Sequence, residues 1–211
     1  PDNVSFEQAG AVAIAATTAL RGLRDAGRLK AGDKVLINGA SGGVGTFAVQ
    51  IARSIGAEVT GVCSTRNVEL VRSLGADHVI DYTRDDYTGV DVRYDVILDN
   101  VGNRSLAENR RVLEPDGRYV LIGGGGPEAG KWLGPMVKPL QALVTAPFVS
   151  QDMGMFLATL TRANMQRLAE LMSTGAVTPV IDRRYALTEA AAAIRYLEQG
   201  RARGKVVVTT E

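Results

Sequence analysis

The sequence predicts an α/β chain: a doubly wound parallel sheet of about six strands, helices on both faces, and a C-terminal helix–strand segment. Three observations lead there. Short runs of Val, Ile and Leu alternate with stretches of helical period, as in parallel strands joined by crossover helices. The first run, Lys34-Val35-Leu36-Ile37-Asn38, passes directly into Gly39-Ala40-Ser41-Gly42-Gly43-Val44-Gly45. The apolar runs are also continuous rather than alternating, which marks strands covered on both faces.

Taken in order, Asp2–Lys30 read as helices leading into the first strand, Lys34–Asn38. A helix follows over Gly43–Ile55, with Val44, Phe47, Ala48, Ile51 and Ala52 forming one stripe toward a sheet. Further strands are expected at Glu58–Cys63, His78–Asp81, Tyr94–Asp99 and Arg118–Ile122. Helices are expected at Asn67–Leu74, stopped by Gly75, and at Arg104–Leu113. Gly123–Gly134 read as a loop and Pro135–Val144 as a helix. Val149–Ala158 offer a sixth strand, weakened by Asp152 and Gly154. Met165, Leu168, Ala169 and Met172 mark a helix ended by Gly175. Thr178–Tyr185 are extended, Thr188 is placed to cap a helix over Glu189–Leu197, Gly200 stops it, and Lys205–Thr210 form the last strand.

The segment Ala40-x-Gly42-x-x-Gly45 has the spacing of a dinucleotide-binding turn, with alanine at the first glycine. In that pattern the first position makes a tight turn, the second admits a pyrophosphate, and the third lets helix and strand pack closely. The helix N-terminus beyond it favours an anion. A glycine pattern alone is a weak signal, but here a strand precedes it, and a helix and a second strand follow. That second strand ends in Ser64-Thr65-Arg66-Asn67. An NAD site places Asp or Glu there, about 20 residues beyond the glycines, to hold the ribose 2′-hydroxyl. Hydroxyls and a guanidinium in its place favour a 2′-phosphate, hence NADP(H).

Composition narrows the rest. With 45% apolar and 22% charged residues the chain has the make-up of an ordinary globular protein, and a net charge of +1 argues against a general nucleic-acid surface. Arg195, Arg201, Arg203 and Lys205 form a local basic cluster, read as a solvated face that can also help to hold an anionic cofactor. One cysteine, Cys63, excludes an intrachain disulfide, and one histidine, His78, leaves too few ligands for a Cys/His zinc site. No metal site is expected. The longest apolar stretch, Ala9–Leu20, is too short to span a bilayer, so no membrane partner is expected. Without a secretory signal the expected compartment is reducing and cytoplasmic. A chain that starts at Pro1 is expected to be part of a longer one.

Three runs together resemble the medium-chain dehydrogenases/reductases: Asn38–Gly45, Leu74-Gly75-Ala76-Asp77-His78-Val79-Ile80-Asp81-Tyr82, and Tyr94-Asp95-Val96-Ile97-Leu98-Asp99-Asn100-Val101-Gly102. The ending Gly200-Arg201-Ala202-Arg203-Gly204-Lys205 resembles the zinc-independent quinone oxidoreductase branch, which is zeta-crystallin-like. This resemblance implies a Rossmann cofactor domain over residues 1–177. It implies that residues 178–211 pack onto an N-terminal catalytic domain which this sequence lacks, so that Ile194, Leu197 and Val206–Val208 need another cover. It also implies a homodimer formed through the sixth strand.

The same resemblance implies the cofactor contacts. Ala40, Ser41, Gly42, Gly43 and Val44 would meet the pyrophosphate, and Ser64, Arg66, Asn67 and Tyr82 the adenosine end. Asn100 and Val101 would line the ribose, and Ile122, Gly123 and Gly124 would approach the nicotinamide. Thr17, Phe148 and Val149 would lie beside the nicotinamide, and Lys205 near the cofactor. Ala13 stands where the zinc branch carries a cysteine ligand, which implies zinc-free chemistry. Short-chain dehydrogenases need Tyr-x-x-x-Lys, and none of the six tyrosines has lysine four residues on.

The expected activity is NADPH-dependent hydride transfer to a quinone or α,β-unsaturated carbonyl as small-molecule substrate. This chain would supply the cofactor half and be a poor catalyst alone. Two other readings stay open: an enoyl reductase module of a multidomain synthase, and a non-catalytic NADP(H)-binding protein. No catalytic residue is assigned.

Overall fold

The computed structural model describes residues 1–122, 151–155 and 159–210. Six parallel strands form one sheet: β1 (Lys34–Asn38), β2 (Glu58–Cys63), β3 (His78–Asp81), β4 (Tyr94–Asp99), β5 (Leu113–Leu121) and β6 (Asp152–Met155). Their spatial order is β3-β2-β1-β4-β5-β6. The order reverses at β1, where the chain leaves for β2 on one side and β4 on the other. In doubly wound sheets the ligand crevice opens at that switch point, beyond the carboxyl ends of the strands.

The apolar runs are strands because each residue finds cover on one face or the other. Val35, Ile37, Val96 and Leu98 point into one core with Phe47, Ile51 and Leu168. Their neighbours Leu36 and Ile97 point into a second core with Tyr87, Leu113 and Tyr119. The period of two thus splits a continuous apolar run between two buried layers. The first layer is roofed by α1 (Phe6–Arg21), α2 (Gly45–Ile55), α3 (Val68–Ser73) and α5 (Arg162–Ser173), the second by α4 (Leu106–Arg111).

Local chemistry sets the helix ends. Ser5 with Gln8, and Ser105 with Glu108, form capping boxes at α1 and α4, satisfying backbone N–H groups that helices leave open. Helix α2 ends at Gly56, whose φ of 89° is left-handed. Gly75 follows α3 with φ 101°, and Gly175 follows α5 with φ 75°, so both act as the expected stops.

Several expectations shift. Strand β5 begins at Leu113, well before Arg118. Pro115-Asp116-Gly117 lie in a register irregularity between Leu113, which pairs with Tyr94, and Arg118, which pairs with Val96. Helix α4 ends at Arg111 because Leu113 is drawn into β5. Thr188 does not cap α6 (Ala190–Glu198). It lies inside a 3₁₀ turn, Leu187–Glu189, whose Glu189 carboxylate accepts from the Ala186 N–H. The expected sixth strand is present as Asp152–Met155, beside β5 at the sheet margin. The loop from Gly123, the helix at Pro135–Val144, and Gly123, Gly124, Phe148 and Val149 lie outside the described residues.

The C-terminal segment forms its own small parallel pair, β7 (Ile181–Ala186) with β8 (Lys205–Thr209). It packs onto the sheet domain rather than standing clear of it. Gln50 on α2 exchanges hydrogen bonds with the Thr178 backbone, and Arg184 pairs with Glu7 on α1 at 2.7 Å. Ile194, Leu197 and Val208 nevertheless keep much of their surface exposed.

Candidate functional site

Beyond the strand ends at the switch point lies an open crevice of about 1050 Å³. Its floor is the turn after β1. Gly39 holds the left-handed backbone there, with φ of 77°. The reversal is therefore made one residue before Ala40, which is why alanine is tolerated at the first position of the motif. The N–H groups of Gly39 and Ala40 both donate to the Val62 carbonyl on β2, at 3.1 and 3.0 Å. Gly45 is required for close approach: a Cβ there would stand 2.1 Å from the Gly39 carbonyl oxygen. With that approach made, the start of α2 faces the crevice. The N–H groups of Gly43 and Val44 have no partner among the described residues.

The β2 wall is a lattice of neutral donors and cations. Asn67 is buried, 5% exposed, and its Nδ2 donates to Ser41 Oγ at 2.9 Å and to Ser64 Oγ at 3.2 Å. One side chain thus ties the glycine turn to the end of β2. Arg66 crosses the mouth and donates to the Arg201 carbonyl of the C-terminal segment. Thr65 is turned away to Asp81 and Thr83. These hydroxyls, Thr65 first, hold the Asp81 carboxyl below its usual range. Tyr82 stands at the rim, 57% exposed. Cys63 lies beneath. Burial, and then the Asp81 charge, push its thiol up to about 11, so at neutral pH it is an inert thiol.

The C-terminal segment closes a third side. The Gly204 N–H donates to the Ser41 carbonyl at 2.9 Å. This docks Lys205, whose stem lies over Gly43.

The opposite wall is built on one buried carboxylate. Asp99, at the end of β4, is fully buried. Its Oδ1 accepts from Asn38 Nδ2 at 2.8 Å and from the N–H groups of Val101 and Gly102 at 3.0 and 2.8 Å. Its Oδ2 accepts from the Tyr119 hydroxyl at 2.7 Å. Burial, then the Asp99 charge, raises the Tyr119 pKa and keeps the phenol a donor. Asn100 donates to the Asn38 carbonyl at 2.9 Å, leaving a buried Oδ1 without a partner.

Most of the residues singled out from the sequence come together here. Ser41, Gly42, Gly43, Val44, Ser64, Arg66, Asn67, Tyr82, Asn100, Val101, Ile122 and Lys205 all line the crevice. Two do not. Ala40 is fully buried beneath the turn, its N–H held by Val62. Thr17 is fully buried in α1 with its hydroxyl against Met165 Sδ, 3.9 Å away, and Ile14 and Ala15 face the crevice instead. Asn103 was not anticipated as a lining residue. Asn38 was legible as the polar end of an apolar strand, and Arg201 as part of the basic cluster. Among the described residues no Asp or Glu lines the crevice, while Arg66, Arg201 and Lys205 do. No group of three or more metal-ligating side chains occurs among the described residues, and no described helix is long and apolar enough to cross a membrane.

Comparison with known proteins returns a consistent set. A family model described as zinc-binding dehydrogenase matches residues 74–208. An NADPH-dependent alkenal/one oxidoreductase of Arabidopsis thaliana is 32% identical over 212 residues, covering 99% of this chain and 48% of the relative. A polyketide synthase system protein, NorB, of Streptomyces orinoci is 34% identical over 221 residues, covering 99% of this chain and 10% of the relative. A quinone oxidoreductase from Coxiella burnetii superposes with a TM-score of 0.86 at 28% identity, covering 100% of this chain and 63% of that one. The chain therefore spans about half the length of the plant relative and a small part of the synthase protein.

Proposed function

The chain belongs to the medium-chain dehydrogenase/reductase family, and on that premise we propose that it is the NADP(H)-binding part of a zinc-independent reductase. The substrate would be a quinone or an α,β-unsaturated carbonyl. The observation that carries this reading is the charge of the crevice: three cations and no carboxylate among its described lining residues.

A nicotinamide dinucleotide fits the residues present. The absence of a Cβ at Gly45 lets the α2 N-terminus reach the turn, where the Gly43 and Val44 N–H groups are positioned to hold a pyrophosphate. Lys205, laid over Gly43, offsets its charge. Ser64 and Arg66 present donors to a 2′-phosphate, and Tyr82 flanks the adenosine end. Asn100 offers an unpartnered Oδ1 to a ribose hydroxyl, and Val101 and Ile122 provide apolar walls toward the nicotinamide. When bound, the cofactor supplies the hydride, and the protein supplies binding and orientation. The Asp99 network holds the Asn100–Asn103 loop in one geometry, which fixes the wall against which a ring can lie. Zinc-free chemistry is supported by Ala13 at the position where the zinc branch carries a cysteine ligand.

The likeness to a polyketide synthase protein favours a second reading, an enoyl reductase module acting on an enoyl thioester. Both readings share the cofactor. Titration of the chain with NADPH and with NADH, by calorimetry, tests that shared premise. NADPH is expected to bind about tenfold tighter or more, the worth of one charge-assisted contact. Equal or tighter binding of NADH sinks the NADP(H) assignment.

A further inference from the structure

Asn67 reads from sequence as a cofactor contact, but its amide is already engaged. It is buried, and both described contacts of its Nδ2 are serine hydroxyl oxygens, Ser41 Oγ at 2.9 Å and Ser64 Oγ at 3.2 Å. Its Oδ1 is buried without a partner. This orientation has a physical reason. Turning the amide over would strand an NH₂ group with two protons, whereas the present one strands a single carbonyl oxygen, and buried donors are the groups least often left unmade.

The consequence falls on the serines. A hydroxyl has one proton. When its oxygen accepts from an amide, that proton is free to point elsewhere. Both serines line the crevice, so both are set as donors toward whatever occupies it. One stands on the glycine turn and the other at the end of β2, beside Arg66. A donor hydroxyl suits an anionic phosphate oxygen, which can only accept. It has less to offer a ribose 2′-hydroxyl, which also carries a proton.

We infer that Asn67 is a specificity-determining positioning residue: by donating to Ser41 and Ser64 it fixes both hydroxyls as donors, and so favours a 2′-phosphate over a 2′-hydroxyl. This rests on the NADP(H) reading above. On this reading Asn67 acts through the two serines.

The test is a double-mutant cycle on the full chain, with NADPH and NADH as probes in calorimetric titrations and melting curves run in parallel. Asn67→Asp keeps the shape of the side chain but makes it a charged acceptor, so the serine protons turn inward, and the Ser64→Ala comparison separates this from the repulsion of the added charge. Asn67→Asp is expected to weaken NADPH at least tenfold and NADH by much less. Ser64→Ala is expected to weaken NADPH severalfold in the native background and to have no further effect in the Asn67→Asp background. If Asn67→Asp does not fold, Asn67→Leu removes the donor without adding an acceptor, and a severalfold loss of NADPH affinity is expected there. Equal losses for both cofactors overturn the inference, as does a Ser64→Ala effect of the same size in both backgrounds, or an Asn67→Leu variant that binds like the native chain. In each of these cases a native preference for NADPH leaves the cofactor assignment standing. A native chain without that preference overturns the assignment itself, and the inference with it.

Discussion

The two walls of the crevice are built by opposite means. The β2 wall holds neutral hydroxyls, one amide and Arg66, and its nearest carboxylate, Asp81, is engaged by Thr65 and Thr83. The β4 wall is organised around a carboxylate, Asp99, with four donors on it: a side-chain amide, a phenol and two backbone N–H groups. A buried charge of this kind is tolerated because four donors converge on it, and it then orders the loop it faces. The difference teaches that charge in this crevice is sorted by depth. Carboxylates serve the architecture behind the surface, and cations face the space.

That comparison can be broken most completely at the floor the walls share. Gly45→Ala places a Cβ where the Gly39 carbonyl stands. It is expected to destabilise the chain by about 3 kcal/mol or more and to lower Tm by about 6–12 °C. Cofactor binding should be lost with it. A melting curve within 2 °C of the native one, on the order of the scatter between ordinary surface variants, would show that the helix can retreat.

The β4 wall is expected to answer in stability. Asp99→Ala removes the acceptor that four donors share and should cost about 3 kcal/mol, whereas Tyr119→Phe removes one donor and should cost about 1 kcal/mol. Urea unfolding of both variants checks the ranking. Equal losses would mean that Asp99 does not organise the wall. Substitutions on the β2 wall should instead move cofactor affinity with little change in melting.

The smallest effect lies beneath the β2 wall. The Cys63 thiol has its pKa raised above the ordinary value, to about 11. The thiolate is the charged form and burial disfavours it, so this contribution to stability is full below the ordinary thiol pKa. It is lost as pH rises through about 11. Alkylation of the native chain by iodoacetamide at pH 8 should be slow and should accelerate as pH approaches that value. Because Cys63 is the only cysteine, intact mass reads the reaction directly. Rapid labelling at pH 8 would place the thiol in solvent.

The first four strands were legible to the residue. Val35–Ile37 and Val96–Leu98 are unambiguous apolar runs, and Gly39, Gly56 and Gly75 mark where the backbone turns. The start of strand β5 was not, because Leu113 pairs with Tyr94 across an irregularity that holds Pro115 and Gly117, and that pairing leaves no local signal in the sequence. The site was legible as a lining and less so as a set of roles. The family resemblance puts Thr17, and the motif spacing Ala40, near the crevice, but neither carries information on which side of α1 or of the turn they lie. It also cannot show that Asn67 answers two serines from different loops, since that contact exists only once β1 and β2 are paired.

The hydrogen bond from Gly204 to Ser41 gives the crevice a place in time as well as in space. The glycine turn and its strands come from the first half of the chain, while Lys205 comes from near its described end. During synthesis the β1–β2–β4 scaffold can collapse early, yet the third side of the crevice cannot exist until β8 has emerged and docked. A nascent chain that has not yet made β8 therefore lacks the third side of the crevice.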